Sequence, residues 1–581
     1  MEPKENWILP PKTEAPPSPQ LYATSEKYGV IESYTKPGFL ENSEKFKDVY
    51  KMEVPEEVTD LCREIRGIGG TALLVGGSVR DMVINTEFER QDLSYKDLDL
   101  EIYGLSKETV RLVLLNLFGE ENINDVGKSY GITKVKIKGF DEPLDISMPR
   151  RESKSGVTHK DFDVEADPSM SIHEASFRRD LSMNCLSFDP LTQTLYDPYN
   201  GVEDIRNRTI NVIDEKTFME DPLRVMRVMQ FLSRFEFIPS DKTLKICKHM
   251  TNEGQLDNLS ESRITGEFAK LLTKGIRPSI GLEFARETGI LERYWPELNS
   301  LIGVKQPENY HPEGDVWNHT LQVVDAGCQI AQREKMDPDK KLTFMLACLC
   351  HDMGKPSTSK FENGKWTSWG HEEAGVEVTE SFLDHFSLDI IKTGQRKMIL
   401  LLVAEHLRPI TLHTESLRGI NMDKAVRRLS MRLAEGNTDL EMLVLVAEAD
   451  QRGRNGDSTL PLKESDVDLE WKEWILEKAK DLEVINKPEI KTLSGNELMD
   501  LIDREQGPWI GAILKALEMD WAEGLPITKE GVLKHYNSMS NYVDSMVGDN
   551  KGNLKHKNKI WVDLSRLDDP RDLIYNEEIR V

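Results

Sequence analysis

An apolar run ending in paired glycines, Leu73-Leu74-Val75-Gly76-Gly77-Ser78-Val79-Arg80-Asp81, is followed about twenty residues later by Asp97-Leu98-Asp99. No other feature constrains the chain as much. The run reads as a strand that turns sharply into a helix. Glycines let backbone N–H groups approach a bulky anion, and the helix start adds a favourable dipole. On a strand, positions 97 and 99 project their carboxylates to the same face. Two adjacent acids repel, so the pair suits either a solvated edge or a cation. Mg²⁺ is usually held by one or two carboxylates plus substrate phosphates. Gly-Gly alone and Asp-x-Asp alone are weak signals. In this order and spacing they predict a triphosphate site and nucleotidyl transfer.

The length of 581 residues allows roughly three to five domains. A hydrophobic content of 38% with 30% charged residues describes a soluble protein. No apolar run reaches the ~18 residues of a membrane span. Met1–Gln20 is Pro- and charge-rich and does not read as a secretory signal. The six cysteines form no CxxC pair, and Cys348 and Cys350 lie in one apolar run, which predicts buried free thiols. A cytoplasmic location without membrane contact is expected. The net charge of −26 argues against a protein that coats nucleic acid non-specifically. It leaves room for a local basic groove.

The pattern along the chain predicts an α+β fold, a small mixed-sheet head followed by mostly α-helical regions. Residues 1–53 read as an extension. Residues 54–190 alternate helical runs with β-type runs at Leu73–Gly76, Leu98–Tyr103, Ile132–Ile137 and Leu144–Met148. Residues 191–302 are helical, with a strong apolar period over Asp221–Phe235. Residues 303–456 form a second helical block that holds most of the histidines. Pro461 and the charged stretch Lys463–Asp468 mark a linker into a last helical region, 457–581.

Further segments add chemistry to the head. Asp145, in Leu144-Asp145-Ile146-Ser147, is either an ordinary strand-end acid or a third carboxylate beside Asp97 and Asp99. A third acid helps hold a second metal or activate an attacking hydroxyl; Glu152 competes for that role. The adjacent Arg178 and Arg179 can hold a triphosphate or organise carboxylates, or can be a solvated helix end. In Glu220-Asp221-Pro222-Leu223-Arg224, proline suits a first helical turn, and Asp221 and Arg224 share a face. They can form an intrahelical salt bridge. They can also accept from and donate to the Watson–Crick edge of cytosine or adenine.

The stretches LLVGGSVRD (73–81), DLDLE (97–101), RRESKSG (150–156), RRDLSMNCL (178–186), DPYNGVEDIRNR (197–208) and EDPLRVMRVMQFLSRF (220–235) together resemble class II tRNA nucleotidyltransferases. These are CCA-adding enzymes of the polymerase β superfamily, to which bacterial poly(A) polymerase also belongs. The resemblance implies that Asp97 and Asp99 bind catalytic Mg²⁺, with Asp145 beside them. It implies that Gly76, Gly77, Arg80 and Asp81 form the triphosphate-side loop, and that Arg178, Arg179, Asp180 and Asn184 also face the nucleotide. Asp221 and Arg224 match the pair that selects CTP and then ATP, and Arg227 lies on the same helix. The implied reaction adds C, C and A to a tRNA 3′ end without a nucleic-acid template. Poly(A) addition, CC-only or A-only addition are the alternatives on this scaffold. The loop that switches C to A falls within Asn85–Lys96.

The histidine block holds His319, the pair His351-Asp352 and Asp450. Imidazole and carboxylate ligands meeting from separate helices suit a divalent metal that activates water for phosphoester hydrolysis. The pattern resembles the His-Asp (HD) metal phosphohydrolase superfamily, in which positions matching His371 and His406 often line the site. Ni, Mn, Mg and Fe all remain open as the metal. The resemblance implies a 2′,3′-cyclic phosphodiesterase or phosphatase fused to the transferase. A different reading makes phosphohydrolysis the main activity and the head an RNA-binding platform. Leu493–Leu498 and Gly507–Leu514 resemble the tRNA-gripping tail of bacterial class II enzymes, with Glu497 in place of the usual Asp.

Overall fold

The computed structural model describes residues 21–25, 27–34, 39–90, 93, 97–126, 132–140, 142–154, 162–485, 494–503, 505–507, 509–525, 528–543, 546–548, 554–556 and 561–562. It divides into two compact units, Met1–Arg293 and Tyr294–Val581. Residues 91–92 and 94–96 of the expected switch loop Asn85–Lys96 lie outside the described residues.

In the first unit one sheet is built from β1 (Glu44–Lys47), β2 (Thr71–Val75), β3 (Asp99–Tyr103), β4 (Ile123–Val126), β5 (Ile132–Val135), β6 (Leu144–Ser147), β7 (Ser187–Asp189) and β8 (Thr194–Asp197). Their order across the sheet is β1-β8-β7-β2-β3-β6-β5-β4. The mixed-sheet head expected from the alternating pattern is therefore present. Its centre, β2, is buried from Ala72 to Val75, as a strand covered on both faces requires. Helices α1 (Glu56–Gly67) and α2 (Gly77–Glu87) pack against β2, and α3 (Lys107–Phe118) packs against α1.

Two pairings position the chemistry. Strand β3 runs antiparallel to β2, with Asp99 opposite Val75, and parallel to β6, with Asp99 opposite Asp145. Directly opposed residues on neighbouring strands share a face, so the two carboxylates stand side by side. The ladder also explains one departure from expectation. Asp97 lies in a bend before β3, not on the strand. The partner β2 ends at Val75, and Gly76 turns the chain away with φ 77°, so no β2 residue remains to pair with position 97.

The sheet also runs beyond residue 190 and takes a strand from the presumed extension. β8 returns as a hairpin on β7, and β1 pairs with β8 as an outer strand. All four residues of β8, Thr194 to Asp197, are buried between β1 and β7.

The helical part of this unit contains α4 (Leu223–Phe235), α5 (Glu261–Lys274) and α6 (Pro278–Glu287). Helix α4 buries Val225, Met226, Val228, Met229, Leu232 and Phe235 and turns Arg224, Arg227 and Arg234 to the other side. It packs against α5 and α6.

The second unit begins earlier than residue 303. A short helix, Pro296–Asn299, joins it through Glu297, which accepts from Ser381 Oγ at 2.7 Å and faces His385 Nε2 at 3.3 Å. The helices of its first part include α7 (Val316–Arg333), α8 (Pro338–Cys350), α9 (His371–Asp384), α10 (Thr393–Glu405) and α11 (Leu440–Arg452). Helix α8 is buried without a break from Leu342 to Cys350, the pattern of a central helix. Cys348 and Cys350 are free and buried, as their apolar run predicted, and so are the other four cysteines.

The expected linker has only a single 3₁₀ turn, Glu464–Asp466, yet it is tied back. Leu462 exchanges bonds with Arg452, its N–H donating to the Arg452 carbonyl at 2.8 Å and its carbonyl accepting from Arg452 Nε at 2.9 Å. Beyond it, helices Gly495–Ile502, Trp509–Ala522 and Lys529–Val543 share a cluster of Leu498, Ile513, Leu517 and Val532. Glu497 has a local explanation: it completes a capping box with Ser494. Among the described residues no helix is long and apolar enough to cross a membrane.

Gly281 marks the tightest contact of the α4–α6 pair. A Cβ there would lie 2.2 Å from Ser233 Oγ and 2.5 Å from the Met229 carbonyl oxygen. Gly281→Ala is expected to lower the urea-unfolding stability of the first unit by about 1–3 kcal/mol, the usual cost of overpacking. An unchanged midpoint would mean that α6 yields without strain.

Candidate functional site

The sharp turn between β2 and α2 closes over β3. A Cβ on Gly76 would lie 2.7 Å from Asp99 Oδ2, so glycine is needed both for the positive φ and for the approach. Around this turn lies a cavity of about 590 Å³, lined by Gly76, Gly77, Arg80, Asp99, Arg179, Asp180, Asn184, Asp221, Arg224 and Arg227 together with α5. A second cavity of about 500 Å³ takes in Asp81 and Asp97 and shares Gly77, Arg80, Asp99, Arg234 and Lys274 with the first. The volumes suit a nucleotide-sized ligand. Asp145 and Arg178 line neither cavity, but each touches a residue that does.

Asp145 stands beside Asp99 through the β3–β6 register, and Lys134 Nζ reaches both its oxygens at 2.8 and 2.9 Å. Burial, then the nearby Asp145 carboxylate, push the Asp99 acid up to about 6. A divalent cation at this edge relieves that repulsion, so the donor set fits one. Glu152, the competitor, sits in the separate two-stranded hairpin Arg150–Lys154 with Phe162–Ala166 and does not share this sheet.

The arginine pair is held by an acid that the motif reading passed over. Glu101, 1% exposed, accepts from Tyr103 Oη at 2.6 Å and faces Arg178 at 3.4 Å and Arg179 at 3.3 Å. Arg179 also donates to the Asn184 carbonyl at 2.7 Å. The signal was in the sequence: Glu101 continues the alternation Asp97-Leu98-Asp99-Leu100 on the same strand.

A second chain of bonds links α2 to α4. Arg80 Nη1 donates to Asn184 Oδ1 at 2.9 Å, Asn184 Nδ2 donates to Asp180 Oδ1 at 2.8 Å, and Arg227 Nε donates to Asp180 Oδ2 at 2.7 Å. Asp81 receives Arg80 Nε at 2.8 Å and Arg234 Nη2 at 2.9 Å. The Arg80 guanidinium lies 5.0 Å from the Phe231 ring centre and 4.8 Å from that of Phe235. Burial works to raise the Asp180 acid, but Arg227 and the Asn184 hydrogen bond outweigh it and hold it down to about 2.

Asp221 and Arg224 do not form the simple intrahelical bridge. Arg224 donates to the backbone carbonyls of Thr217 and Arg178, the latter at 2.7 Å. Asp221 accepts from the Leu223 N–H at 3.1 Å and lies 3.5 Å from Arg263 Nη2. The α5 residues Arg263, Glu267, Lys270 and Lys274, all on the cavity wall, were missed by the sequence reading. Their helical spacing was legible, but their place on the cavity wall depends on how the helix packs against α4.

In the second unit, the ends of separate helices deliver the ligand-type residues. His351 follows α8, His406 follows α10, and His371 opens α9. Each Nδ1 meets the carbonyl three residues earlier: His351 with Cys348 at 2.8 Å, His371 with Ser368 at 2.8 Å, and His406 with Val403 at 2.7 Å. His319 Nδ1 meets the Gly453 carbonyl at 3.1 Å. A carbonyl can only accept, so these Nδ1 atoms carry hydrogen. In the neutral rings Nε2 is then left as a bare lone pair.

Those Nε2 atoms converge on two acids. His319 Nε2 lies 3.2 Å from His351 Nε2 and 3.0 Å from Asp450 Oδ1, while His371 Nε2 lies 3.3 Å from Asp352 Oδ1. Two neighbouring ligand groups result, His319 with His351 and Asp450, and Asp352 with His371 and His406. Burial opposes ionisation of Asp352 and Asp450, yet His351 and Lys355, and Arg454 and His319 respectively, hold both acids well below the usual carboxylate range. Burial and the adjacent His351 and His371 push the His406 imidazole down to about 3. Burial works to lower the His319 imidazole, but Asp450 and Glu313 outweigh it and raise it to about 9, so a metal would displace the His319 Nε2 proton. The anionic carboxylates and the His406 lone pair are already in the state it requires. Lys355 belongs to the His351-Asp352-Met353-Gly354-Lys355 run, whereas Glu313 and Arg454, which also surround this cluster, lacked a motif to announce them.

Comparison with known proteins finds a family match for each part of the chain that carries a candidate site. The profile of the "Poly A polymerase head domain" matches residues 72–211, that of the "Probable RNA and SrmB- binding site of polymerase A" matches 236–302, and the HD domain matches 316–451. The "Multifunctional CCA protein" of Methylobacillus flagellatus is 33% identical over 336 residues, covering 57% of this chain and 72% of that protein. Its counterpart from Actinobacillus pleuropneumoniae is 30% identical over 392 residues, 66% of this chain and 85% of the relative. The chain belongs to the class II CCA-adding enzymes that carry an HD domain. It is a tRNA nucleotidyltransferase of that family, and both family domains use divalent metals. The crystal structure of the Bacillus stearothermophilus CCA-adding enzyme in complex with CTP covers 84% of this chain and all of its own, at a TM-score of 0.53 and 21% identity. That likeness confirms the α+β fold.

For this CCA-family head, the Asp180–Arg227 bond carries a pH signature. A carboxyl whose folded value lies below its unfolded value stabilises the protein above the unfolded value and ceases to do so as pH falls through the folded one. With about 2 in the fold against about 3.9 unfolded, Asp180 contributes on the order of 2 kcal/mol at neutral pH. Asp180→Asn should therefore cost about that much at pH 7, and the gap to wild type should close between pH 4 and pH 2. Urea midpoints across that range provide the check.

Proposed function

We propose that the chain adds C, C and A in turn to the 3′ end of tRNA, using CTP and ATP and no nucleic-acid template. One observation carries this reading: the register-paired acids Asp99 and Asp145 lie beneath the Gly76 turn, beside a cavity that also presents Asp221 and Arg224. In this reading the tRNA 3′-hydroxyl oxygen bonds to the α-phosphorus of the bound nucleotide. The bond to the β-phosphate bridge breaks, pyrophosphate leaves, and the hydroxyl proton passes to solvent or to a carboxylate. Asp97 and Asp99, with Asp145 alongside, are the residues that would hold Mg²⁺, which would neutralise phosphate charge and lower the pKa of the attacking hydroxyl.

The protein side of the work falls to its fixed donors. Gly76, Gly77 and the start of α2 present N–H groups to the triphosphate. Arg80, Asp81, Arg178, Arg179, Asp180, Asn184 and Arg227 fix the walls around it. Asp221 accepts from the exocyclic amino group shared by cytosine and adenine. Arg224, anchored on two carbonyls, directs its guanidinium edge at a ring acceptor. Uracil and guanine offer the opposite pattern at the amino position and are rejected.

For the second unit we infer metal-dependent hydrolysis of phosphoesters, including 2′,3′-cyclic phosphates. His319, His351, Asp352 and Asp450 hold the metal, joined by His371 and His406. An imidazole-rich set favours Mn, Fe or Ni over Mg. A water oxygen bonds to phosphorus, one ester P–O bond breaks, and the freed ribose oxygen takes up a proton. A cytoplasmic setting suits six buried free thiols.

Labelled CTP and ATP, given separately and together with a tRNA lacking its 3′ end, test the first activity. CC followed by one A and then arrest is expected; a long A tract or CC alone would replace the reading with one of its relatives. Asp97→Ala should abolish incorporation by at least about 10³-fold while metal-dependent hydrolysis persists. His351→Ala with Asp352→Ala should do the reverse. If both variants lose both activities, the two sites are not independent.

Arg224→Ala should narrow the preference for CTP and ATP over UTP and GTP, on the order of 10-fold or more, because a base-edge donor is lost. Uniform slowing with the same preference would assign Arg224 to holding Thr217 and Arg178 alone.

A further inference from the structure

A small hairpin interrupts the second unit between two of the metal-type ligands, Asp352 and His371. Its strands, Lys360–Glu362 and Lys365–Thr367, pair around Asn363-Gly364, both with positive φ, and Ser359 Oγ meets Ser368 Oγ at 2.8 Å across its base. The Phe361 and Trp366 rings lie 5.3 Å apart at 58°, which fixes Phe361 while leaving it 60% exposed. Trp369, just beyond the second strand, is 86% exposed, more than any other large apolar side chain among the described residues. A single exposed apolar residue needs no explanation. Three aromatic residues within Phe361–Trp369, two of them turned to solvent, do.

Both feet of the hairpin stand on the ligand cluster. On one side, Ser359 caps the short helix Lys355–Thr358, whose Lys355 Nζ lies 2.7 Å from Asp352 Oδ2. On the other, the Ser368 carbonyl receives His371 Nδ1, so Trp369 is one residue from the atom that orients that imidazole. A phosphate attracted to this cluster, to Lys355 and to Arg454 therefore sits at the root of an aromatic surface. The ligand whose phosphate and flat apolar face are joined by one sugar is a nucleotide. The family's own substrate ends in one.

We propose that the Ser359–Gly370 hairpin is a base-stacking platform that holds the terminal nucleotide of an RNA while its 2′- or 3′-phosphate lies at the His319–Asp450 cluster. This rests on reading that cluster as a phosphohydrolase. Stacking is tolerant of base identity because every base offers a π-face. The platform thus supplies affinity for an RNA end and no strong sequence preference. Lys360 and Lys365, both exposed, flank the rings and favour a polyanion over an apolar peptide.

The test uses the full chain with added Mn²⁺ and a short RNA ending in a 2′,3′-cyclic phosphate, with 4-thiouridine as its last base. Ultraviolet crosslinking followed by peptide mapping should mark the Ser359–Gly370 segment. Trp369→Ala should lose the crosslink, and Trp369→Phe, which keeps a ring, should retain it. In parallel, KM for 2′,3′-cyclic AMP should rise about 5- to 100-fold in Trp369→Ala, the range for loss of one stacked base. Crosslinks confined to other segments, or an unchanged KM in Trp369→Ala, would overturn the platform. Crosslinking at the hairpin with no hydrolysis by the wild type would sink the phosphohydrolase reading and leave the platform standing.

Discussion

The head depends on a single parallel strand pair. By running β3 alongside β6, the chain sets Asp99 opposite Asp145 and accepts the repulsion of two neighbouring carboxylates. That repulsion has to be answered. The structure answers it with Lys134 on one side and with the glycine turn on the other, which leaves room for further positive charge. Glu101, two residues along β3, repeats the arrangement one layer deeper, where Arg178 and Arg179 take the part of the cation. Along β3, then, Glu101 is matched by two arginines, while the acids at its edge, Asp99 and Asp145, share a single lysine on the Asp145 side.

The second unit solves a similar problem by other means. Its imidazoles are oriented by backbone carbonyls at helix ends, where such carbonyls are left over by the geometry of the helix. The same bond that satisfies an orphan acceptor also sets the tautomer of the ring. Gly354 allows this packing to close: a Cβ there would come within 2.1 Å of the His371 carbonyl oxygen. Ligand placement and helix termination are therefore one event.

Much of this was legible beforehand. The glycine pair, Asp99, Arg179 and the His-Asp residues come together on elements with strong local signatures, while Asp145 and Arg178 reach the cavity only through their neighbours. Asp97 fell just off its strand, since a ladder partner, not the residue's own pattern, decides where a strand begins. Glu101 and the α5 side chains were overlooked for a different reason. Their importance lies in what they touch across the fold, 77 or 78 positions away for Glu101 and its arginines, and 42 for Arg263 and Asp221. The choice between salt bridge and base reader at Asp221 and Arg224 likewise needed the carbonyls of Thr217 and Arg178, which no periodicity reveals.

Helix α4 carries Arg224, Arg227 and Arg234 on one side, committed respectively to backbone carbonyls, to Asp180 and to Asp81. At 3.6 residues per turn, adding or deleting a single residue inside the helix would swing everything beyond it by about 100°. All three commitments cannot survive such a rotation, so this helix can change by substitution and hardly at all in length. The hairpin turn at Asn363-Gly364 is under no such constraint. Within one chain, then, one element has its length locked by gearing, while another is free to grow or shrink as its task changes.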